Sequence, residues 1–336
     1  MSRNVKNALV RLLKLAVWLA VFCLAAVAAV MVLAPLQGWA WGARARMVAA
    51  VYRPVKFPGF ARARDQRCTL ADAWREAVPD RALAARKIER AMRRVDLDGN
   101  LELVETAAGR MWIPASDRMA YAEELAEQGE EEYGTDNKGA RPGDTVLDCG
   151  ANVGAYTHQA LRHGASLVVA IEPAPWALEC LRRNFPEEIR AGRVIVFPKG
   201  VWDHDDTLVL NVPPGMASTA ATVALQRAAG VEVAVPLTTI DRMVTELHLQ
   251  RVDFIKMDIE GAEPNALRGA VHTIERFHPR MAISLEHRPT DPDTISTLTR
   301  QLWPDYSVEC GACTNMNGHL QPVVMFAQLV TGSGSR

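Results

Sequence analysis

The chain has 336 residues, 49% of them hydrophobic, which is enough for one large domain or two ordinary ones with a real core. Its formal net charge of −1 hides an asymmetry, because residues 1–94 carry 18 Lys and Arg against 5 Asp and Glu, leaving residues 95–336 at −14. An acidic body argues against broad nucleic-acid binding, which needs a clustered basic face for phosphates.

Residues 1–14 form a basic segment, with Arg3, Lys6, Arg11 and Lys14, and residues 15–36 follow with no charge over 22 positions. A helix crosses a bilayer with roughly 20 apolar residues, so this run predicts a single-pass membrane anchor. A cleaved signal peptide is the alternative, although its apolar core usually spans roughly 7–15 residues. Arg44, Arg46, Arg53 and Lys56 balance the four cations ahead of the run, so the positive-inside count is a tie. Trp39 and Trp41 fit the interface. Residues 37–94 read as a basic, helical juxtamembrane region that suits an anionic leaflet or an ordinary solvated face. Pro79 divides its helical pattern in two.

Residues 95–330 read as the main domain and residues 331–336, "TGSGSR", as a flexible tail. From about residue 143, β-rich runs alternate with helical ones: "DTVLDCG", "SLVVAIEP", "RVIVFPKGVW", "VDFIKMDI" and "RMAISLEH" are strands, and the segments between them are helices. The alternation predicts a doubly wound, mostly parallel α/β sheet covered on both faces. Between residues 205 and 236, "DTLVLNV" and "VEVAVPLTT" flank a Gly- and Ser-containing stretch and predict an antiparallel excursion over the site. "YSVECG" and "QPVVMFAQLV" predict a closing antiparallel pair.

The six cysteines (Cys23, Cys68, Cys149, Cys180, Cys310 and Cys313) are scattered through the chain, which predicts reduced thiols and not a disulfide framework. "CGAC" at Cys310 and Cys313 has only His319 near it, short of the four ligands of a structural zinc site.

"VLDCGANVGAY" places Asp148 at a strand end and Gly150, Asn152 and Gly154 in the turn that opens the next helix, where N–H groups lack partners. Glu172 ends the following strand, where an acid hydrogen-bonds ribose hydroxyls. The G-x-x-x-G spacing departs from the G-x-G-x-x-G of nicotinamide enzymes, and the acid ahead of it suits a cationic ligand better than a pyrophosphate. D-x-G-x-N-x-G resembles the first motif of S-adenosylmethionine-dependent methyltransferases of the Rossmann-like class. That resemblance implies S-adenosylmethionine as cofactor, with Asp148, Gly150, Asn152, Gly154 and Glu172 around it.

"VDFIKMDIEGAEPNALRGA" adds Asp258, Glu260 and Glu263 at a strand tip. Alternation puts Lys256, Asp258 and Glu260 on one face while the strand stays extended. Glu263, beside Pro264, reads as the start of a helix, where a carboxylate favours the N-terminal dipole. This segment, together with "EEEYGTDNKGARPGDTVLDCGANVGAYT", "VPLTTIDRMV" and "SLEH", resembles the FkbM-type methyltransferase family over about residues 125–290. Cys149 and Pro264 are modest departures. The resemblance implies methylation of a hydroxyl oxygen on a carbohydrate, lipid-linked or natural-product acceptor.

Methyl transfer needs an aligned acceptor and a group that collects its proton. Asp258, Glu260, Glu286 and His287 are the candidates by position, with Lys256 to orient a carboxylate. A neutral imidazole at His287 suits deprotonation near neutral pH. The Asp258 and Glu260 pair also suits a divalent cation, although the spacing requires none.

Overall fold

The computed structural model describes residues 64–330, apart from 77–79, 130, 135–137, 213–230 and 317–318, together with positions 59 and 61. The basic segment 1–14, the apolar run 15–36, the middle of the insert and the tail 331–336 lie outside these residues. Among the described residues no helix is long and apolar enough to cross a membrane.

The described part of the basic region contains the two helices that its pattern predicts, α1 (Leu70–Glu76) and α2 (Asp80–Ala91). An antiparallel meander follows: β1 (Arg93–Asp98), β2 (Leu101–Thr106) and β3 (Gly109–Pro114). The boundary expected at 94/95 therefore falls inside β1. This sheet is illegible by alternation, because every residue of β1 is exposed. Helix α3 (Arg118–Gly129) then packs against α2.

The main sheet is built from β4 (Thr145–Cys149), α4 (Ala155–Arg162), β5 (Leu167–Ile171), α5 (Pro175–Asn184), α6 (Pro186–Arg190) and β6 (Val194–Phe197). The run read as one strand from Arg193 ends at Phe197. Gly200 and Val201 form β7 in a separate small sheet with β8 (Asp206–Val212) and β9 (Val231–Thr238). β8 and β9 pair antiparallel, as the excursion predicts.

The chain returns to the main sheet through α7 (Ile240–Glu246), β10 (Phe254–Met257), α8 (Glu263–Arg268), α9 (Val271–Phe277) and β11 (Arg280–Ser284). The single helix expected after residue 264 is two, α8 and α9. They part at Gly269, where a Cβ would stand 2.0 Å from the carbonyl oxygen of Trp202. The chain closes with α10 (Asp291–Leu302), β12 (Tyr306–Cys310), the hairpin β13 (Cys313–Met316) and β14 (His319–Pro322), and β15 (Val324–Leu329).

The seven strands run β12-β15-β11-β10-β4-β5-β6, with the four neighbour pairs from β11 to β6 parallel and the pairs made by β15 antiparallel. Strand pleating sorts the apolar side chains onto two cores. Val146, Val168, Phe254 and Ala282 face one side with Tyr156 of α4, while Leu147, Val169, Ile255, Met281 and Ile283 face the other with Ile240 and Ile274. The strand order reverses between β4 and β10, which opens a crevice at their carboxyl ends.

The cysteine expectation is corrected in one place: Cys68 and Cys313 form a disulfide across 245 residues. Spacing could not reveal a partner so distant in sequence. The backbone brings the two together, since Asp65 N–H donates to the Leu320 carbonyl and Arg64 bridges to Leu320. Cys149, Cys180 and Cys310 are free thiols, as expected. Replacing Cys313 by Ser is expected to lower the unfolding free energy in urea by about 2–4 kcal/mol, and an unchanged midpoint would show the bond to be idle.

Candidate active site

β4 and β10 lie in register with Asp148 opposite Lys256, so the two side chains share a face inside the sheet. Asp148 has no exposed surface. Its Oδ2 accepts the Thr157 hydroxyl at 2.7 Å, and its Oδ1 lies 3.5 Å from Lys256 Nζ. Lys256 also donates to the Gly150 carbonyl at 3.0 Å and sits 5.2 Å from the centre of the Tyr133 ring. Burial works against its charge, yet Asp148, Asp258 and Glu124 outweigh that cost and raise its pKa.

The turn after β4 is tied down from three sides. Gly150 has φ +80°, and a Cβ there would fall 1.9 Å from the Asp258 carbonyl oxygen. The backbone approach that demands this glycine is thus to the tip of β10. Gly154 has φ +99° and lies against Phe185, whose ring a Cβ would meet at 2.3 Å. Asn152, at φ +47°, donates its N–H to Glu172 Oε2 at 3.0 Å and its side-chain amide to Glu124. Glu172 Oε1 accepts the Ala174 N–H at 2.8 Å, and burial raises its pKa to about 7.

A cavity of about 310 Å³ opens at these strand ends. Of the five residues expected around a cofactor, Gly150, Asn152 and Glu172 line it, whereas Asp148 and Gly154 stand behind the wall and position it. All five residues expected at the chemistry, Lys256, Asp258, Glu260, Glu286 and His287, line the same cavity. The extended backbone ends at Met257, however, and Glu260 reaches the site from a turn, with φ +59°. It does not share the strand face with Lys256 and Asp258.

His287 organises this side. Its Nε2 lies 3.3 Å from Asp258 Oδ1 and 3.6 Å from Glu260 Oε2, and its Nδ1 lies 3.2 Å from Glu263 Oε1. Burial opposes the charge on the ring, but these carboxylates overcome it and lift its pKa to about 10. The neutral imidazole expected from sequence is therefore corrected to a protonated ring near neutral pH. Glu263 does open α8, but it is wholly buried, accepts the Ile259 N–H at 2.8 Å and belongs to the His287 cluster. Asp258 Oδ2 accepts the Tyr133 hydroxyl at 2.8 Å. Burial and then the charge of Asp258 raise the pKa of Glu286, and they bring that of Glu260 to about 7.

Sequence reasoning missed the contribution of α3. Glu123, Glu124 and Glu127 line the cavity from that helix, although acids on a helix read as a solvated face. Burial and the neighbouring charge of Glu132 push the pKa of Glu127 well up, and Arg81 of α2 holds Glu132 at 2.9 Å. The available signal was the Glu132-Tyr133 pair, which lay within the resemblance without an assigned role. Val201, Trp202, Leu208 and Leu237 supply an apolar wall from the small sheet.

A parallel sheet reversing at β4 and β10, with antiparallel β15 set between β11 and β12, defines a methyltransferase-like α/β fold. Residues 148–307 match the family model of the methyltransferase FkbM domain, and over that span the chain is similar to this family. The 31-O-demethyl-FK506 methyltransferase FkbM of Streptomyces tacrolimicus is 30% identical over 156 residues, covering 38% of this chain and 60% of the relative. Methyltransferase 1 of Beauveria bassiana is 26% identical over 143 residues, covering 37% and 57%. The chain thus spans less than two thirds of the length of these curated relatives. The crystal structure of methyltransferase FkbM from Methylobacillus flagellatus aligns with a TM-score of 0.40 at 19% identity, covering 76% of this chain and 60% of that one.

Glu124 is raised from 4.5 to about 7 chiefly by burial, against the pull of the Asn152 amide. The folded state therefore binds the extra proton, so this group's contribution to stability is full below pH 4.5 and falls as pH rises through 7. Glu124→Gln is expected to match the parent in melting temperature near about pH 4.5 and to exceed it at about pH 8, measured by calorimetry.

Proposed function

We propose that the chain is an S-adenosylmethionine-dependent methyltransferase acting on a hydroxyl oxygen of a carbohydrate, lipid-linked or natural-product acceptor. The observation that carries this reading is the single cavity that joins the β4 turn and Glu172 to the acid-rich tip of β10. The relative from Streptomyces tacrolimicus is named for a 31-O-demethyl substrate, which favours oxygen as the acceptor atom.

The residues fit the cofactor. Asp148 Oδ1 is buried with no hydrogen bond of its own, Gly150 lines the cavity without a Cβ to fill it, and Glu172 stands where an acid meets a ribose. The apolar wall at Trp202, Leu208 and Leu237 suits a base ring. When bound, S-adenosylmethionine supplies an electrophilic methyl group on a sulfonium.

The chain's own groups then have separable tasks. Seven carboxylates line the cavity against two cations, Lys256 and His287, which favours a neutral hydroxyl over an anionic acceptor. Tyr133 and His287 fix Asp258 at the acceptor side. Glu286 lines the acceptor side beside Asp258, and burial makes its carboxylate more basic than a free one, so in this reading it takes the hydroxyl proton.

Two variants separate cofactor binding from chemistry. Glu172→Gln is expected to weaken S-adenosylmethionine binding at least about tenfold by calorimetry. Glu286→Gln is expected to lower kcat about 10²–10⁴-fold with cofactor affinity held within about twofold. Undiminished turnover in Glu286→Gln would remove that residue as the base.

A further inference from the structure

We propose that Glu124 of α3 is a positioning residue for the cofactor: through the side chain of Asn152 it holds the turn from Gly150 to Gly154 in the shape that receives the ligand. This deepens the methyltransferase reading and rests on it for the identity of the ligand, though not for the tie itself.

Within residues 150–154, Asn152 is the one non-glycine at positive φ, +47°, set between Gly150 at +80° and Gly154 at +99°. A side chain in the left-handed region carries strain, and it persists there when neighbouring groups over-determine its place. Two carboxylates from different elements do so. Glu172, at the end of β5, takes the Asn152 backbone N–H at 3.0 Å, and Glu124 takes the side-chain amide. The amide nitrogen is thus directed at α3, and the shape of the turn depends on that helix.

The other side-chain ties to this turn have a different origin. Lys256 donates to the Gly150 carbonyl at 3.0 Å and Asn184 to the Val153 carbonyl at 2.8 Å. These two residues and Glu172 all lie inside residues 148–307, the span matched by the family model, whereas Glu124 reaches in from the segment ahead of it. Its neighbours on α3 are placed for other work. Glu127, three residues along the same helix face, is under the charges of Glu132, Glu286 and Arg81 as well as Asp258, and Glu123 is exposed. Glu124 instead feels Lys256 and Asp148 at the junction of β4 and β10.

Alanine at position 124 removes the oxygen that accepts the Asn152 amide, while glutamine removes the charge and keeps an oxygen there. The pair of variants therefore separates position from charge.

The test uses the full chain in calorimetry with S-adenosylmethionine and with S-adenosylhomocysteine, which lacks the sulfonium charge. Glu124→Ala is expected to weaken both about tenfold or more, and Glu124→Gln to leave both within about threefold. Asn152→Gly keeps the positive φ without the amide, and adding Glu124→Ala to it should change Kd by less than about twofold. Hydrogen exchange of the ligand-free chain reads the tie directly: Glu124→Ala, and not Glu124→Gln, should speed exchange in the 150–154 turn. Thermal melts confirm that each variant is folded. Equal weakening by Ala and Gln, a loss confined to S-adenosylmethionine, or unchanged exchange in Glu124→Ala overturns the positioning role. A parent chain that binds neither compound overturns the methyltransferase reading and with it the ligand named here, whereas a parent that binds both, with Glu124→Ala unchanged, overturns the role of Glu124 alone.

Discussion

Everything at the strand ends depends on one buried cation. Lys256 is almost wholly enclosed, and an ammonium in such a place is tolerable only when an opposite charge and good donor geometry accompany it. Register provides the partner, because the parallel pairing of β4 and β10 sets Asp148 directly opposite. The same nitrogen holds the Gly150 carbonyl and stands near the Tyr133 and Tyr156 rings. A shift of one strand by a single residue would place Lys256 on the other core and leave Asp148 unpaired.

Around that cation the protein keeps a surplus of carboxylates close together. Burial and neighbouring negative charge raise the pKa values of Glu124, Glu127, Glu260 and Glu286 above their ordinary range. The cost is borne by the ligand-free fold, and a ligand carrying positive charge relieves it. The acids come from two parts of the chain. One part is the tips of β10 and β11, inside the matched family span; the other is α3, ahead of it. The α3 face is seated on the basic helix α2, where Arg81 stands 3.8 Å from Glu127.

Much of this was legible before the fold was known. Apolar runs spaced by helical segments gave the parallel sheet, and G-x-x-x-G with an acid on each adjoining strand located the crevice. What stayed hidden had physical causes. β1 is charged and fully exposed, so it carries no periodic signature. The break between α8 and α9 arises from a distant carbonyl, that of Trp202, and no local rule reports it. Glu263 satisfied a helix-start pattern so well that its burial beside His287 was invisible. His287 itself was misjudged because its protonation is set by three carboxylates whose convergence only the folded chain creates.

The bond between Cys68 and Cys313 makes the intervening 245-residue separation a closed covalent ring, with α2, the meander and every strand of the main sheet except β15 inside it. A load applied ahead of Cys68 divides between the chain leading into α1 and the sulfur bridge to the β13–β14 hairpin. The hairpin thereby shares a tension that would otherwise fall wholly on the helices leading to the acidic wall.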